Sequence, residues 1–223
     1  MRTVVFCDFD GTIATRDVGY SLFKHFSNGE NARLIPDWKA GTLSSRDCLR
    51  MEAAMVKASP AEVLQFLDQF EIDPGFAAFE QTCRDFGIEL IVLSDGLDFY
   101  IRHILERFQF SHLEVRCNTG LLGDGGITVE FPNHPHSCPR CGTCKGEQIE
   151  AYREQAGEPC RVAFIGDGYS DACAARVADL LLAKKDLEQY CLKQKIAYTN
   201  YHDFFDVTRL LVEHGYLPKR AGY

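Results

Sequence analysis

The 223-residue sequence has no run of basic residues, and its 24 lysines and arginines are outnumbered by 32 acidic residues. The net charge of −8 is spread along the chain, which argues against a surface that binds nucleic acid or anionic membranes. No apolar run approaches the roughly 18 residues of a membrane-spanning helix. The apolar run before Asp8 is also too short for a signal peptide. We therefore expect a cytoplasmic globular protein with no nucleic-acid or membrane partner.

Four apolar runs predict buried strands of a parallel sheet. The apolar runs cover residues 3–8, 88–96, 161–168 and 179–183. Patterns typical of helices separate them. Because continuous apolar runs fit strands that are covered on both faces, the alternation predicts an α/β fold with a Rossmann-like parallel sheet. The segment 113–131 is different, since short strand patterns flank a "GDGG" turn, and it predicts a β excursion from the sheet.

Residues 12–72 interrupt the alternation, because no clear strand pattern occurs there. Three helical patterns fill the segment, and one of them opens with Ser59, Pro60 and Glu62 in the positions of a capping box. We predict that residues 12–72 form a small helical cap inserted after the first strand. Residues 1–11 and 73–223 then form the core domain.

Polar side chains follow three of the four predicted strands. Ligands bind outside the carboxyl ends of the strands in an open parallel sheet, so we expect these side chains to converge. A group of carboxylates is electrostatically costly unless a cation neutralises it, and oxygen ligands favour Mg²⁺. The polar residues, in strand order, are Asp8, Asp10, Ser94, Asp95, Asp167 and Asp171.

A Mg²⁺ ion beside Ser94, glycine amides and Lys145 suits phosphoryl transfer. The cation and Lys145 balance the charge on the phosphoryl oxygens, while the Ser94 hydroxyl and backbone N–H groups orient them. A carboxylate can act as the nucleophile and form an aspartyl-phosphate that water then hydrolyses. Asp8 and Asp10 are two residues apart, so one can attack while the other transfers protons.

Four motifs, in this order along the chain, resemble those of haloacid dehalogenase-superfamily phosphatases. The resemblance extends over essentially the whole chain, and the helical cap is similar to that of the phosphoserine-phosphatase-like branch. The motifs are "DFDGT" at 8–12, "SDG" at 94–96, Lys145, and "GDGYSD" at 166–171.

The resemblance implies a role for each of these residues. Asp8 is expected to be the nucleophile, and Asp10 the general acid and base. Asp8, the Asp10 carbonyl and Asp167 are expected to hold Mg²⁺, with Asp171 in support. The residues expected to bind the substrate phosphate are Ser94, Asp95, Gly96 and Lys145.

The substrate implied by resemblance is a small phosphorylated metabolite. "SDGLDFYI", the pair Cys117 and Asn118, and "PHSC…CGTCK" resemble a narrower group. That group includes the methionine-salvage phosphatase that acts on 2-hydroxy-3-keto-5-methylthiopentenyl phosphate, an enolic phosphate. Phosphatases of phosphoserine, phosphoethanolamine and phosphocholine share the four motifs and are the alternatives. Against phosphoserine, Asp17 stands where phosphoserine phosphatases usually carry a glutamate.

An alternative of another class is a receiver module that responds to phosphorylation. Receivers also combine acidic strand ends, a hydroxyl and a lysine with Mg²⁺. They are compact modules, however, of roughly half this length, within the usual range of domain sizes. They carry the phosphorylated residue on a middle strand and have no helical insertion, so the order of elements here argues against a receiver.

Three of the ten cysteines form a cluster, Cys138, Cys141 and Cys144, at a spacing of three residues. The "CPRCG" turn is typical of a zinc knuckle, but a structural zinc site needs four ligands and only one such pair is evident. Cys144, His136, His134 and Cys117 are the candidates to complete it. Structural Zn²⁺, reduced structural thiols and a disulfide are the three alternatives, and the expected compartment ranks the disulfide last.

The remaining cysteines lie singly in the sequence. Cys7, Cys83, Cys117, Cys160 and Cys173 occur within apolar segments, so we expect them to pack as small hydrophobic side chains. Whatever the chemistry of the cluster, its segment leads into a helix that begins near Lys145. We therefore expect this loop to place Lys145 at the phosphate site.

Overall fold

The computed structural model of the protein describes residues 2–133 and 136–218. Within these residues one sheet contains β1 Arg2–Cys7, β2 Glu89–Leu97, β3 Glu114–Gly123, β4 Gly126–Glu130, β5 Cys160–Gly166, β6 Leu180–Ala183 and β7 Thr199–Asn200. Their order across the sheet is β4-β3-β2-β1-β5-β6-β7. Every neighbouring pair is parallel except β3 with β4. The predicted α/β fold is confirmed, and the predicted strand ends differ from the observed ones by one or two residues.

Helices cover the sheet and form the segment between β1 and β2. Within the described residues no helix is long and apolar enough to cross a membrane. The helices are α1 Val18–Phe26, α2 Ile35–Ala40, α3 Ser45–Met55, α4 Pro60–Leu67, α5 Phe76–Asp85, α6 Asp98–Arg107, α7 Lys145–Gln155, α8 Lys185–Gln194 and α9 Phe204–Glu213.

Strand β1 lies at the centre of the sheet and is covered on both faces. Val5 belongs to one buried apolar cluster, which includes residues of α5, α6 and α9. Val4 and Phe6 belong to a second cluster, on the side of α7 and α8. All three side chains are fully buried. Burying such a side chain contributes about 1.5–3 kcal/mol, so this strand is a rigid support for the residues that follow it.

The helical cap leaves and rejoins the rest of the chain at one narrow neck. Ala14 and Ile72 form an antiparallel bridge there. Beside it, the Asp73 N–H donates to the Ile13 carbonyl at 2.8 Å and the Thr15 N–H donates to Glu71 at 3.0 Å. The neck therefore coincides with the ends of the predicted segment 12–72, whose status as a separate domain stays a prediction.

The cap contains four helices, whereas three helical patterns were predicted. The extra helix is α2, which has only six residues and carries Pro36 in its first turn. The predicted capping box at the start of α4 is confirmed, because the Ser59 and Glu62 side chains each bond to the other residue's backbone N–H.

Strands β3 and β4 form the predicted β excursion, an antiparallel hairpin that turns between Gly123 and Gly126. The hairpin lies against the cap. Gly126 has a positive φ of 118°, and a Cβ atom there would lie 2.7 Å from the Val56 carbonyl oxygen. Only glycine fits this approach without strain, so the hairpin and the cap pack backbone to backbone.

Candidate active site

Six of the predicted site residues, Asp8, Asp10, Ser94, Asp95, Gly96 and Asp167, line a cavity of about 720 Å³ between the carboxyl ends of the strands and the cap, and Lys145 and Asp171 are buried beside them. β1 and β5 end just before Asp8 and Asp167, and Ser94 lies near the end of β2. Lys145 is the first residue of α7. The sequence therefore brings these side chains together through the ends of parallel strands and the start of one helix.

Lys145 is the centre of the charge network. Its side chain is fully buried, and Nζ lies 2.7 Å from Asp8 Oδ1 and 2.5 Å from Asp171 Oδ1. Burial acts to lower the pKa of Lys145, but the charges of Asp171 and Asp8 outweigh it and raise the pKa above its ordinary value. Lys145 is therefore held as a cation beside Asp8, and its contact with phosphate stays a prediction.

Asp8 is fixed at the point where β1 turns outward. Its Oδ1 accepts a hydrogen bond of 2.7 Å from the Phe9 N–H. Burial and the nearby charge of Asp171 raise the pKa of Asp8, and Lys145 opposes this effect. Lys145 is thus the group that favours the ionised form of Asp8, whose role as nucleophile stays a prediction.

Three buried carboxylates form a group that fits a hard divalent cation. One carboxylate oxygen from each of Asp8, Asp167 and Asp171 lies within 4.8 Å of the other two. Burial and mutual repulsion raise the pKa values of Asp8 and Asp167, and a cation would remove that cost. Carboxylate oxygens are the donors that Mg²⁺ prefers. The donor set therefore fits Mg²⁺.

Two further contacts hold Asp167 in this group. Its Oδ2 lies 2.9 Å from Lys185 Nζ, and its Oδ1 accepts a hydrogen bond from the Thr12 hydroxyl at 3.2 Å. Gly11, at φ 73°, leaves room for this carboxylate, because a Cβ atom there would clash with Asp167 Oδ2. Asp171 is held separately, as its Oδ2 accepts the N–H groups of Asp167 and Gly168, both at 2.9 Å.

Asp10 has a different environment from Asp8. Its Oδ1 accepts the N–H groups of Val18 and Gly19, at 2.8 and 3.1 Å, at the start of α1. Its Oδ2 accepts the Tyr100 hydroxyl at 2.8 Å. Burial raises the pKa of Asp10, while these hydrogen bonds lower it. Among the described residues, the Asp10 carboxylate is outside the group of three, so a metal contact through its backbone carbonyl stays a prediction.

The "SDG" motif serves two purposes. Ser94 is buried, and its Oγ accepts the Gly96 N–H at 3.0 Å. A Cβ atom on Gly96 would clash with the Tyr100 hydroxyl, so Gly96 makes room for the group that holds Asp10. The predicted contacts of Ser94 and Gly96 with phosphate stay predictions.

The Asp95 carboxylate supports the loop before Lys145. Its Oδ1 accepts the N–H groups of Gly142 and Thr143, at 2.9 and 2.7 Å. The same oxygen accepts the Asn118 amide at 3.1 Å. This oxygen is already bonded to the loop, and a contact between Asp95 and phosphate stays a prediction.

The cysteine cluster has a fourth member that the sequence analysis assigned to packing. One sulfur from each of four cysteines lies within 4.8 Å of the others, namely Cys138, Cys141, Cys144 and Cys173. The expectation for Cys173 was therefore wrong, since the turn after Asp171 carries it to the loop before Lys145. Among the described side chains, His136 and Cys117 are outside the group. His134 lies outside the described residues.

The cap supplies residues that the sequence analysis missed. Glu52 lines the cavity, is 7% exposed, and accepts a hydrogen bond of 3.0 Å from the Asn31 amide. Burial raises the pKa of Glu52 to about 7, against hydrogen bonds that lower it. Phe23 and Leu49 add apolar surface to the same wall. Only their helical spacing was visible in the sequence, and that spacing also fits simple packing.

A family model and several curated proteins match the sequence of this chain. The family model described as haloacid dehalogenase-like hydrolase matches residues 5–176. A 2-hydroxy-3-keto-5-methylthiopentenyl-1-phosphate phosphatase of Brevibacillus brevis is 30% identical over 94% of this chain and 95% of the relative. Pdp3-interacting factor 1 of Schizosaccharomyces pombe is 31% identical over 91% of this chain and 92% of the relative.

Solved structures share the fold. The phospho-aspartyl intermediate analogue of phosphoserine phosphatase matches with a TM-score of 0.71 at 20% identity. The match covers 96% of this chain and 98% of that one. A hydrolase from Salmonella enterica matches with a TM-score of 0.75 at 18% identity, over 98% of this chain and 72% of that one.

Proposed function

The chain belongs to the haloacid dehalogenase-like hydrolases and is a phosphatase, as its motifs predicted, and from this premise we propose its mechanism and substrate. It hydrolyses a small phosphomonoester with Mg²⁺, through an aspartyl-phosphate on Asp8. The observation that carries the mechanism is the contrast between two carboxylates two residues apart. Asp8 is paired with Lys145, whereas Asp10 is held by Tyr100 and the start of α1.

In the first step Asp8 attacks phosphorus, and the bond from phosphorus to the leaving oxygen breaks. Asp10 gives its proton to that oxygen, so the alcohol leaves neutral. In the second step Asp10 takes a proton from water, which attacks the aspartyl-phosphate and releases inorganic phosphate. Asp8, Asp167 and Asp171 would hold Mg²⁺, which would neutralise charge on the phosphoryl oxygens. Lys145, which is paired with Asp8, adds a second positive charge.

The mechanism is tested with a generic aryl phosphate. Release of phosphate should depend on Mg²⁺ and should fall at least about 1000-fold in Asp8→Asn, because an amide is a poor nucleophile. Asp10→Asn should also lose turnover. Asp124→Asn, in the exposed turn of the hairpin, is the matched control and should keep full activity. Wild-type turnover in Asp8→Asn would sink the aspartyl-phosphate mechanism.

We further propose the enolic phosphate of methionine salvage as substrate, the compound in the name of the Brevibacillus brevis relative. The cap side of the cavity supports this choice, since Phe23 and Leu49 present apolar surface. A methylthio group packs favourably on aromatic and aliphatic side chains. Glu52, whose pKa is raised to about 7, can exchange hydrogen bonds with enolic oxygens.

Phosphoserine is the second candidate, because phosphoserine phosphatases share the fold and the motifs. The carboxylate of phosphoserine needs a cationic partner. Lys39 lies on the cap side of the cavity, but its Nζ is already paired with Asp186 at 2.8 Å. A panel of phosphorylated metabolites compared by kcat/KM separates the candidates. The enolic phosphate should be preferred by at least about tenfold, or about 1.4 kcal/mol. A preference for phosphoserine or phosphocholine would overturn the substrate assignment while leaving the mechanism intact.

A further inference from the structure

Four cysteine sulfurs converge beside the active site, although they come from two separate parts of the chain. Cys138, Cys141 and Cys144 lie in the loop before α7, and Cys173 lies in the turn that follows Asp171. Their sulfurs are all within 4.8 Å of one another. We propose that these four cysteines bind a structural Zn²⁺ ion, with Cys173 as the fourth ligand.

The separation of the sulfurs fits this ion. With Zn–S bonds of about 2.3 Å, sulfurs at the corners of a tetrahedron are roughly 3.8 Å apart. All four sulfurs lie within 4.8 Å of one another, which is compatible with this arrangement. Four thiolates without an oxygen donor are a closed, soft ligand set, which selects zinc over Mg²⁺. The carboxylate group at Asp8 has the opposite chemistry, so the two sites take different ions.

The local backbone presents the sulfurs to one point. The chain turns at Pro139 and Gly142, as in the knuckle that the sequence indicated. The Glu147 carboxylate fixes the first arm of the turn, because it accepts the N–H groups of Ser137 and Cys138, at 3.0 and 2.8 Å. These bonds help to lower the pKa of Glu147 to about 2, against burial, which raises it.

Access and thiol chemistry also agree with a metal. Cys138 and Cys173 are half-buried, whereas Cys141 and Cys144 are buried, so an ion can enter from one side and be enclosed on the other. All four are free thiols. A disulfide would use two of the four sulfurs and would leave the other two without a function in the cluster.

The ion would tie two catalytic segments together. Lys145 and Asp171 form an ion pair of 2.5 Å. Cys144 directly precedes Lys145, and Cys173 lies two residues after Asp171. The segments are already in close contact, since a Cβ atom on Gly146 would lie 2.9 Å from the Cys173 carbonyl oxygen. Zinc at this point fixes the distance between the loop of Lys145 and the turn of Asp171. The four cysteines are therefore positioning residues.

The cap reaches the same loop. Arg46 donates to the carbonyls of Cys141 and Pro139, at 2.7 and 2.8 Å, and the Ser45 N–H donates to Arg140 at 2.9 Å. A loop fixed by zinc therefore gives the start of α3 a rigid surface.

Metal content is the direct test. The full-length protein, purified under reducing conditions without chelator, should contain about one equivalent of zinc by elemental analysis. Exchange for Co²⁺ should give the intense visible and near-ultraviolet absorption of tetrahedral cobalt bound to four thiolates. Zinc below about a tenth of an equivalent, together with no cobalt absorption, would overturn the proposal. So would a disulfide between two of the four cysteines in protein that holds no zinc.

Variants locate the ligands. Cys173→Ser should lose most of the bound zinc and shift the cobalt spectrum, and Cys138→Ser at the exposed arm should do the same. Cys160→Ser is the matched control, because Cys160 is also half-buried but is outside the cluster, and it should keep both signals. Retention of one zinc by Cys173→Ser would contradict the assignment of the fourth ligand.

Asp8→Asn separates this proposal from the proposed mechanism. This variant should lose phosphatase activity and still bind zinc and cobalt as the wild type does. Loss of zinc from Asp8→Asn would instead place the ion at the carboxylate group and would overturn the proposal.

Discussion

At the scale of single residues, the site depends on small differences between neighbouring carboxylates. Asp8 and Asp10 belong to one pentapeptide, yet one accepts from a lysine and the other from a tyrosine and two backbone N–H groups. In the first environment Lys145 favours the ionised carboxylate against burial, and in the second burial favours the protonated form against the hydrogen bonds. Tyr100 is therefore as important to the chemistry of Asp10 as the motif itself.

Tyr100→Phe should change the pH dependence of turnover. Removing the 2.8 Å hydrogen bond removes a contact that lowers the pKa of Asp10, so that pKa rises. The limbs of the pH–rate profile that belong to Asp10 should move to higher pH by about 0.5–1 unit, since one hydrogen bond is worth about 1 kcal/mol. Tyr190→Phe, at a half-buried position outside the cavity lining, should leave the profile unchanged. A profile unaltered in Tyr100→Phe would contradict the role given to Asp10.

Glu52→Gln should make stability less sensitive to pH. Burial raises the pKa of Glu52 from 4.5 to about 7, so the folded state binds this proton more tightly than the unfolded state does. The associated stability is complete below about pH 4.5 and is lost as the pH rises through 7, by about 3 kcal/mol. Denaturant unfolding at pH 5 and pH 8 should show this loss in the wild type and a smaller loss in Glu52→Gln, where Asp8, Asp10 and Asp167 still have raised pKa values. Glu154→Gln, at an exposed position, should behave as the wild type.

At the scale of elements, the active site is a set of loops held by long-range hydrogen bonds. The loop before α7 is bonded to β2 through Asp95 and to β3 through Asn118, whose Oδ1 accepts the Thr143 hydroxyl at 3.0 Å. The position of Lys145 therefore depends on two strands of the sheet as well as on its own helix.

Asp95→Ala should weaken both stability and turnover. It leaves the N–H groups of Gly142 and Thr143 without their acceptor, and each unpaired buried donor costs about 1–3 kcal/mol. We expect the free energy of unfolding to fall by about 3 kcal/mol in total and kcat to fall with it, because Lys145 is displaced. Asp95→Asn keeps one acceptor oxygen and is the matched control. Similar losses in both variants would assign the effect to charge rather than to the loop.

The sequence predicted those features that depend on residues close together in the chain. Local signals were sufficient for the strands, for the capping box of α4 and for the residues that follow β1 and β5. The six-residue α2 has too few turns to show a helical pattern. The contacts of Tyr100 with Asp10 and of Cys173 with Cys144 join residues far apart in the chain. Such pairs depend on how the helices and strands pack, and the spacing of residues in the sequence does not predict that packing.

At the scale of the whole molecule, the cost of gathering acidic groups in one place is balanced by the rest of the fold. The chain carries a net charge of −8, and three carboxylates are buried within 4.8 Å of one another. Lys145 and Lys185 offset part of this repulsion. Added divalent cation should therefore stabilise the folded protein as well as activate it.

Mg²⁺ should raise the Tm more at pH 8 than at pH 5. The pKa values of Asp8 and Asp167 are raised by burial and by the charge of Asp171, so protons compete with the cation as the pH falls. Thermal unfolding with and without millimolar Mg²⁺ measures the shift. Asp167→Asn should lose most of it, and Asp124→Asn should keep it. A larger shift at pH 5 than at pH 8 would contradict the carboxylate site.

The bridge between Ala14 and Ile72 has an evolutionary consequence. Because the cap enters and leaves through adjacent residues, its removal or replacement changes neither the pairing of β1 with β2 nor the turn that holds Asp8. Descendants of one ancestral sheet can therefore acquire new caps, and with them new substrates, as long as the start of α1 still supplies the N–H groups of Val18 and Gly19 to Asp10.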